Sequence, residues 1–237
     1  MNKELLIILL IIHFLMDFQL QSQDIATNKG SKMIYMLKHF VISLVFPLIF
    51  ILIDFKVSIL LLILAIFHIL IDLIKGLLEQ KLLSNSQYQH LDKIVFITDQ
   101  LVHLSIIFIG LILYKGDFHQ EILSISVLKW ILFIILITKP INVSFKKLFI
   151  GYQPESDINS ETVIGAGSII GNLERLLAGV FLALNQFSAI ALIMTAKSIA
   201  RYNKIAESPK FAEYYLIGSL YSILAVIICY QLIFYII

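Results

Sequence analysis

Four histidines and three aspartates fall inside apolar stretches in the first half of this chain: His13 and Asp17, His39, His68 and Asp72, and Asp99 and His103. Three His/Asp pairs are four residues apart, so on a helix each pair is stacked on one face. That spacing predicts three local chelating edges. Imidazole and carboxylate together suit a divalent metal or a travelling proton. A metal held there would activate water and polarise a phosphoryl or acyl oxygen. The expected ligand set is His13, Asp17, His39, His68, Asp72, Asp99 and His103, with Asp17, Asp72 and Asp99 as the catalytic carboxylates. Zinc fits imidazole better than magnesium does. Gln21, His90, Asp92 and His119 lie near helix ends or in links, where solvation is expected.

The second half carries a different chemistry. Glu174 and Arg175 interrupt one apolar segment, and Lys197 and Arg201 stand four apart on the next. Guanidinium and ammonium suit phosphate or carboxylate, so Glu174, Arg175, Lys197 and Arg201 are the expected substrate-binding group. A salt bridge from Lys197 or Arg175 to Glu174 is the competing structural role. Asp17, Asp72, Asp99 and Glu174 against Arg175, Lys197 and Arg201 leave one excess negative charge with histidine neutral. Gly167 and Gly171 form a GxxxG pattern that predicts close helix packing.

The elements that must position these groups are membrane helices. Of 237 residues, 59% are hydrophobic and 14% charged, and the mean hydropathy is +0.94. A soluble domain has about 25% charged residues. The fold expected is all-α, a polytopic transmembrane bundle with about eight apolar segments: 4–20, 34–54, 57–76, 94–114, 122–138, 163–184, 187–206 and 212–236. Segment 4–20 is short and 187–206 is polar, which leaves seven or six full crossings open. The whole of 1–237 reads as one membrane domain: His/Asp-bearing helices over 1–114, a link at 139–161 and Glu/Arg/Lys-bearing helices over 162–237. An ionisable group at the centre of a membrane helix costs about 2.5–3.5 kcal/mol on insertion scales. Segment 57–76, VSILLLILAIFHILIDLIKG, holds His68, Asp72 and Lys75 on one face, so a shared pocket is expected to offset that cost.

Lysine and arginine set the expected orientation. Lys29, Lys32 and Lys38, then Lys75, Lys81 and Lys93, then Lys139, Lys146 and Lys147, then Arg201, Lys204 and Lys210 cluster at alternate links. Lys3, Lys56 and Lys115 are the basic residues assigned to the other side. Both termini are therefore expected outside, and every His and Asp above falls in the cytoplasmic half of its helix. The link at 139–161 reads as an interfacial turn on anionic lipid, with Phe145 and Phe149 beside Lys146 and Lys147. His13 and Asp17 interrupt the first apolar run, so it reads as a retained helix rather than a cleaved leader. One cysteine, Cys229, excludes a disulfide within the chain, and a net charge of +2 gives no sign of nucleic-acid binding.

The stretches HFLMDFQLQSQ, HILIDLIK, DQLVH, LERLL, AKSIARY and EYYLIGSL resemble a bacterial integral-membrane family catalogued as domain of unknown function 3307. The resemblance implies a bacterial inner-membrane protein and no particular activity. The residues themselves leave three functions open. One is a metal-dependent hydrolase or phosphoryl-transfer enzyme acting on a lipid or another membrane-associated substrate. Another is a proton- or cation-coupled transporter. The third is a structural or partner-binding protein whose charges only lock the bundle.

Overall fold

A computed structural model describes residues 2–82, 91–116, 118, 122–154 and 165–237. His90 and His119 lie outside the described residues, as does most of the second part of the 139–161 link. The described residues are helical, with no strand among them. The chain divides into two compact units, Met1–Leu132 and Phe133–Ile237.

In the first unit, α1 (Lys3–Phe14) is capped by the Asn2 carboxamide, which accepts from the Leu5 amide at 3.1 Å. Leu5 to His13 are all buried, as expected of a helix that is apolar on every side. Twelve residues make about 18 Å of helix, short of a bilayer core of about 30 Å. α1 runs into a π-helical turn, Leu15–Gln19, closed by the Leu20 amide on the Leu15 carbonyl at 2.8 Å. A π turn holds an extra residue and turns the following side chains off the α register. Asp17 sits in it.

After a short α2 (Gln23–Asn28), long helices follow: α3 (Met33–Phe50), α4 (Phe55–Leu82) and α5 (Asp92–Leu113). Asp54 starts α4 by accepting from the amides of Lys56 and Val57 at 2.9 and 3.1 Å. α3 packs on α4, and α5 packs on both α4 and α1. The turn between α2 and α3 folds back onto α4. A Cβ on Gly76 would lie 2.7 Å from both the Cα and the carbonyl oxygen of Gly30, so only glycine permits that approach. The Gln80 amide nitrogen donates to the Gly30 carbonyl at 2.6 Å and ties the turn down. Gly76→Ala is therefore expected to lower stability by about 1–2 kcal/mol, overpacking outweighing the gain in helix propensity. Gly167→Ala, with nothing within 4 Å of its Cβ, should leave stability unchanged or raise it. Thermal unfolding of both variants in detergent checks the contrast.

The second unit begins inside α6 (Ile125–Ile137) and continues through α7 (Lys139–Leu148), α8 (Ala166–Ala183), α9 (Phe187–Ala200), α10 (Tyr202–Glu207) and α11 (Pro209–Gln231). The chain breaks at Thr138, whose φ of −95° and ψ of −109° are not helical. Pro140 causes this, having no amide hydrogen to donate and a ring that clashes with the preceding turn. Beyond the break, the first ten residues of the 139–161 link are helical. The Phe145 ring packs on Tyr214 and Tyr221, and Phe149 packs on Tyr221, so this aromatic face is used within the unit. Of the GxxxG pair only Gly171 faces a neighbouring helix, a Cβ there lying 3.7 Å from Asn142 Oδ1 of α7. Gly179 meets the Phe133 ring, whereas Gly167 meets nothing among the described residues.

Among the described residues, six helical stretches are long and apolar enough to cross a membrane: Met33–Phe50, Phe55–Lys81, Asp92–Leu113, Ile125–Leu148 across the Thr138 break, Ala166–Ala183 and Pro209–Ile236. These match six of the eight expected segments. The other two are the ones with weak sequence signals, α1 and Phe187–Ala200, and both are shorter.

Candidate metal centre

Asp17 from the π turn, His39 from α3, and His68 and Asp72 from α4 converge on one point. His39 Nε2 lies 2.9 Å from His68 Nε2, 3.4 Å from Asp17 Oδ1 and 3.2 Å from Asp72 Oδ2. His68 Nε2 lies 3.2 Å from Asp17 Oδ1 and 3.6 Å from Asp72 Oδ2. Five of the six separations among these four donor atoms are 2.9–3.6 Å, and all lie within 4.8 Å of one another. For zinc bonds of about 2.0–2.2 Å, a tetrahedral shell has edges of about 3.3–3.6 Å. These four residues are arranged where they could bind a metal ion, and Asp72, Asp99 and His103 form a second such group. Asp72 belongs to both.

The pairs expected on single helices behave differently from one another. His68 and Asp72 do work as a pair. His13 Nε2 is 4.0 Å from Asp17 Oδ2, and the π turn directs Asp17 toward the closer His39 and His68. His13 joins neither candidate ligand group among the described residues. Its ring stacks on His103 with centroids 5.5 Å apart and stands edge-on to His68 at 5.7 Å. His103 is 3.5 Å from Asp99 Oδ1 through Nδ1, which faces the backbone carbonyl of Asp99 at 2.8 Å. An Nδ1–H donated to that carbonyl leaves a lone pair on Nε2, which has no hydrogen-bond partner. The site is thus built between helices more than along them. The imidazoles of His13, His68 and His103 line one end of a cavity whose other walls include Leu9, Leu61 and Ile107.

Two lysines and two glutamines complete the site; sequence reasoning put Lys75 on the His68/Asp72 face and gave Lys29, Gln21 and Gln100 no part in it. Lys29 Nζ lies 2.8 Å from Asp72 Oδ2, 3.5 Å from Asp17 Oδ1, 3.4 Å from His39 Nε2 and 3.3 Å from Gln21 Oε1. Burial opposes its charge, but Asp17 and Asp72 outweigh that and hold its pKa above the usual lysine value. Lys75 Nζ pairs with Asp99 Oδ2 at 2.9 Å. Gln100 Nε2 donates to Asp17 Oδ2 and Asp99 Oδ2 at 3.4 and 3.3 Å. Gln21, expected in solvent, is buried. The available signal was Lys75 on the His68/Asp72 face. For Lys29 the only hint was Gly30 beside it.

The residues expected to bind substrate lie in the second unit. Arg175 is buried and makes five hydrogen bonds. They go to the carbonyls of Ile137 and Thr138, to the carboxamide oxygens of Asn142 and Asn172, and to Ser222 Oγ. Its guanidinium thereby satisfies the Ile137 carbonyl at the Thr138 break and shares the Thr138 carbonyl with the Asn142 amide, which donates to it at 3.3 Å. Lys197 Nζ pairs with Glu174 Oε2 at 2.6 Å and lies over the Tyr215 ring at 5.2 Å. Arg201 ends α9.

Compared with known families, the chain matches one model, described as protein of unknown function (DUF3307), over residues 5–134. That is more than half of the chain. No curated protein and no solved structure matches it. The matched residues include every member of both candidate ligand groups, while LERLL, AKSIARY and EYYLIGSL lie beyond them.

Proposed function

Since the chain belongs to that family, whose matched residues hold the whole His/Asp cluster, we propose a metal-dependent membrane hydrolase or phosphoryl-transfer enzyme. A divalent first-row metal, zinc foremost, is held by Asp17, His39, His68 and Asp72. The observation that supports this is the set of donor separations, 2.9–3.6 Å between atoms brought from three places in the chain. A catalytic metal there would need a position for water or substrate beside these four residues. Bound there, the metal supplies a water of lowered pKa and polarises the substrate oxygen. The chain's own part is to fix the ligands and exclude bulk water. Asp99 and His103 stand beside the shared Asp72 as the groups to take and return a proton.

The substrate in this reading is a lipid or another membrane-associated molecule, reached from within a bilayer. The membrane is a bacterial inner membrane, with both termini outside on the lysine and arginine distribution. The transporter reading is less well supported, because Leu5 to Ile12 of α1 are buried and aliphatic and extend no polar path beyond His13.

Detergent-purified protein is expected to carry about one equivalent of first-row metal by elemental analysis. It should hydrolyse long-chain lipid phosphates or esters, and a chelator should stop it. Protein that takes up no metal and shows no chelator-sensitive hydrolysis overturns the reading.

A further inference from the structure

We propose that Lys29 is the receptor for the anionic group of the substrate, and that this group is a phosphate oxyanion. The inference rests on the metal-dependent reading above and names the substrate class. Within the first unit, Asp17, Asp72 and Asp99 face Lys29 and Lys75. With neutral imidazoles, Lys75 cancels Asp99, and Asp17 and Asp72 against Lys29 leave one net negative charge at the donors, Glu79 lying on the Lys75 side. A divalent cation held by Asp17, His39, His68 and Asp72 would turn that into one net positive charge, in a largely buried place. A site charged that way is complementary to an anion.

Lys29 is the residue placed to take it. Its Nζ reaches Asp72 Oδ2 and Asp17 Oδ1, the same carboxylate oxygens that would hold the metal. One cation therefore displaces the other. The ammonium is the mobile one, a compact charge on a flexible four-carbon stem. It stands on a turn pinned by the Gly30–Gly76 approach, so it is released beside the metal rather than away from it. A phosphoryl group has enough oxygens to reach the metal and the ammonium at once. A carboxylate does so less well.

The test uses chelator-stripped full-length protein in detergent, titrated first with zinc and then, once loaded, with inorganic phosphate. Lys29→Met is expected to bind zinc about tenfold more tightly, because the competing cation is gone, and phosphate about tenfold more weakly. Lys29→Arg should keep phosphate binding, and acetate should bind more weakly than phosphate to the wild-type protein. A purely structural lysine moves both affinities the same way. Lys29→Met that loses zinc affinity, or that binds phosphate as the wild-type protein does, overturns the inference alone. Wild-type protein that binds no zinc overturns the inference and the metal-dependent reading together. Should Lys29→Met fail to fold, Lys29→Gln takes its place, and failure of both to fold makes Lys29 structural and overturns the inference.

Discussion

His39→Ala and His68→Ala are each expected to cost more than about 100-fold in divalent-metal affinity. Removing even an outer partner of a metal ligand costs about 10–100-fold, and these two side chains are ligands in the proposed site. Each supplies an Nε2 within 3.6 Å of the other donors. The double variant should add little to either single one, because three donors and two donors both fail to hold the ion. Groups acting as a unit are non-additive in this way. His13→Ala is the informative contrast. His13 touches His103 and His68 by ring contacts and belongs to neither ligand group, so its removal should leave metal content near that of the wild-type protein. Elemental analysis and competition with a chromophoric chelator measure all four variants. If His13→Ala strips the metal as completely as His68→Ala, the tetrahedral assignment fails.

Arg175→Met is expected to destabilise the protein by about 2–5 kcal/mol, a drop in Tm of more than about 5 °C. The guanidinium holds two backbone carbonyls at a broken helix and joins them to Asn142, Asn172 and Ser222. Truncation leaves buried acceptors without donors, and an unmade buried hydrogen bond costs more than a made one contributes. Arg175→Lys should not restore stability, since one ammonium cannot reproduce a planar five-donor fork. Lys197→Ala should cost no more than about 1 kcal/mol, because its pair with Glu174 is partly solvated. Thermal unfolding read by intrinsic fluorescence separates these. An anion-binding Arg175 would instead leave Tm unchanged when replaced.

The helices themselves were legible, because an apolar run near bilayer length has few alternatives. The face shared by His68, Asp72 and Lys75 was legible too, since helical spacing alone fixes it. Three features were not. Asp17 appeared paired to His13 because an α-helical register was assumed, and nothing in LMDFQ announces a π turn. Lys29 appeared as one more positive charge in a link. Its return to the cluster depends on two glycines 46 positions apart touching backbone to backbone. Arg175 reads as binding an anion or pairing with Glu174, whereas its partners are two carbonyls at a helix break and the side chains of Asn142, Asn172 and Ser222. Pro140 carried that signal, but the sequence did not connect it with a residue on a later helix.

The first helix leaves the ribosome before every helix that packs on it. α5, which lies against α1, ends only at Leu113. Until that point the nascent chain carries His13 without His103, its stacking partner on α5. Burial of α1 is therefore completed only after the α3–α4 pair that carries His39, His68 and Asp72 has emerged.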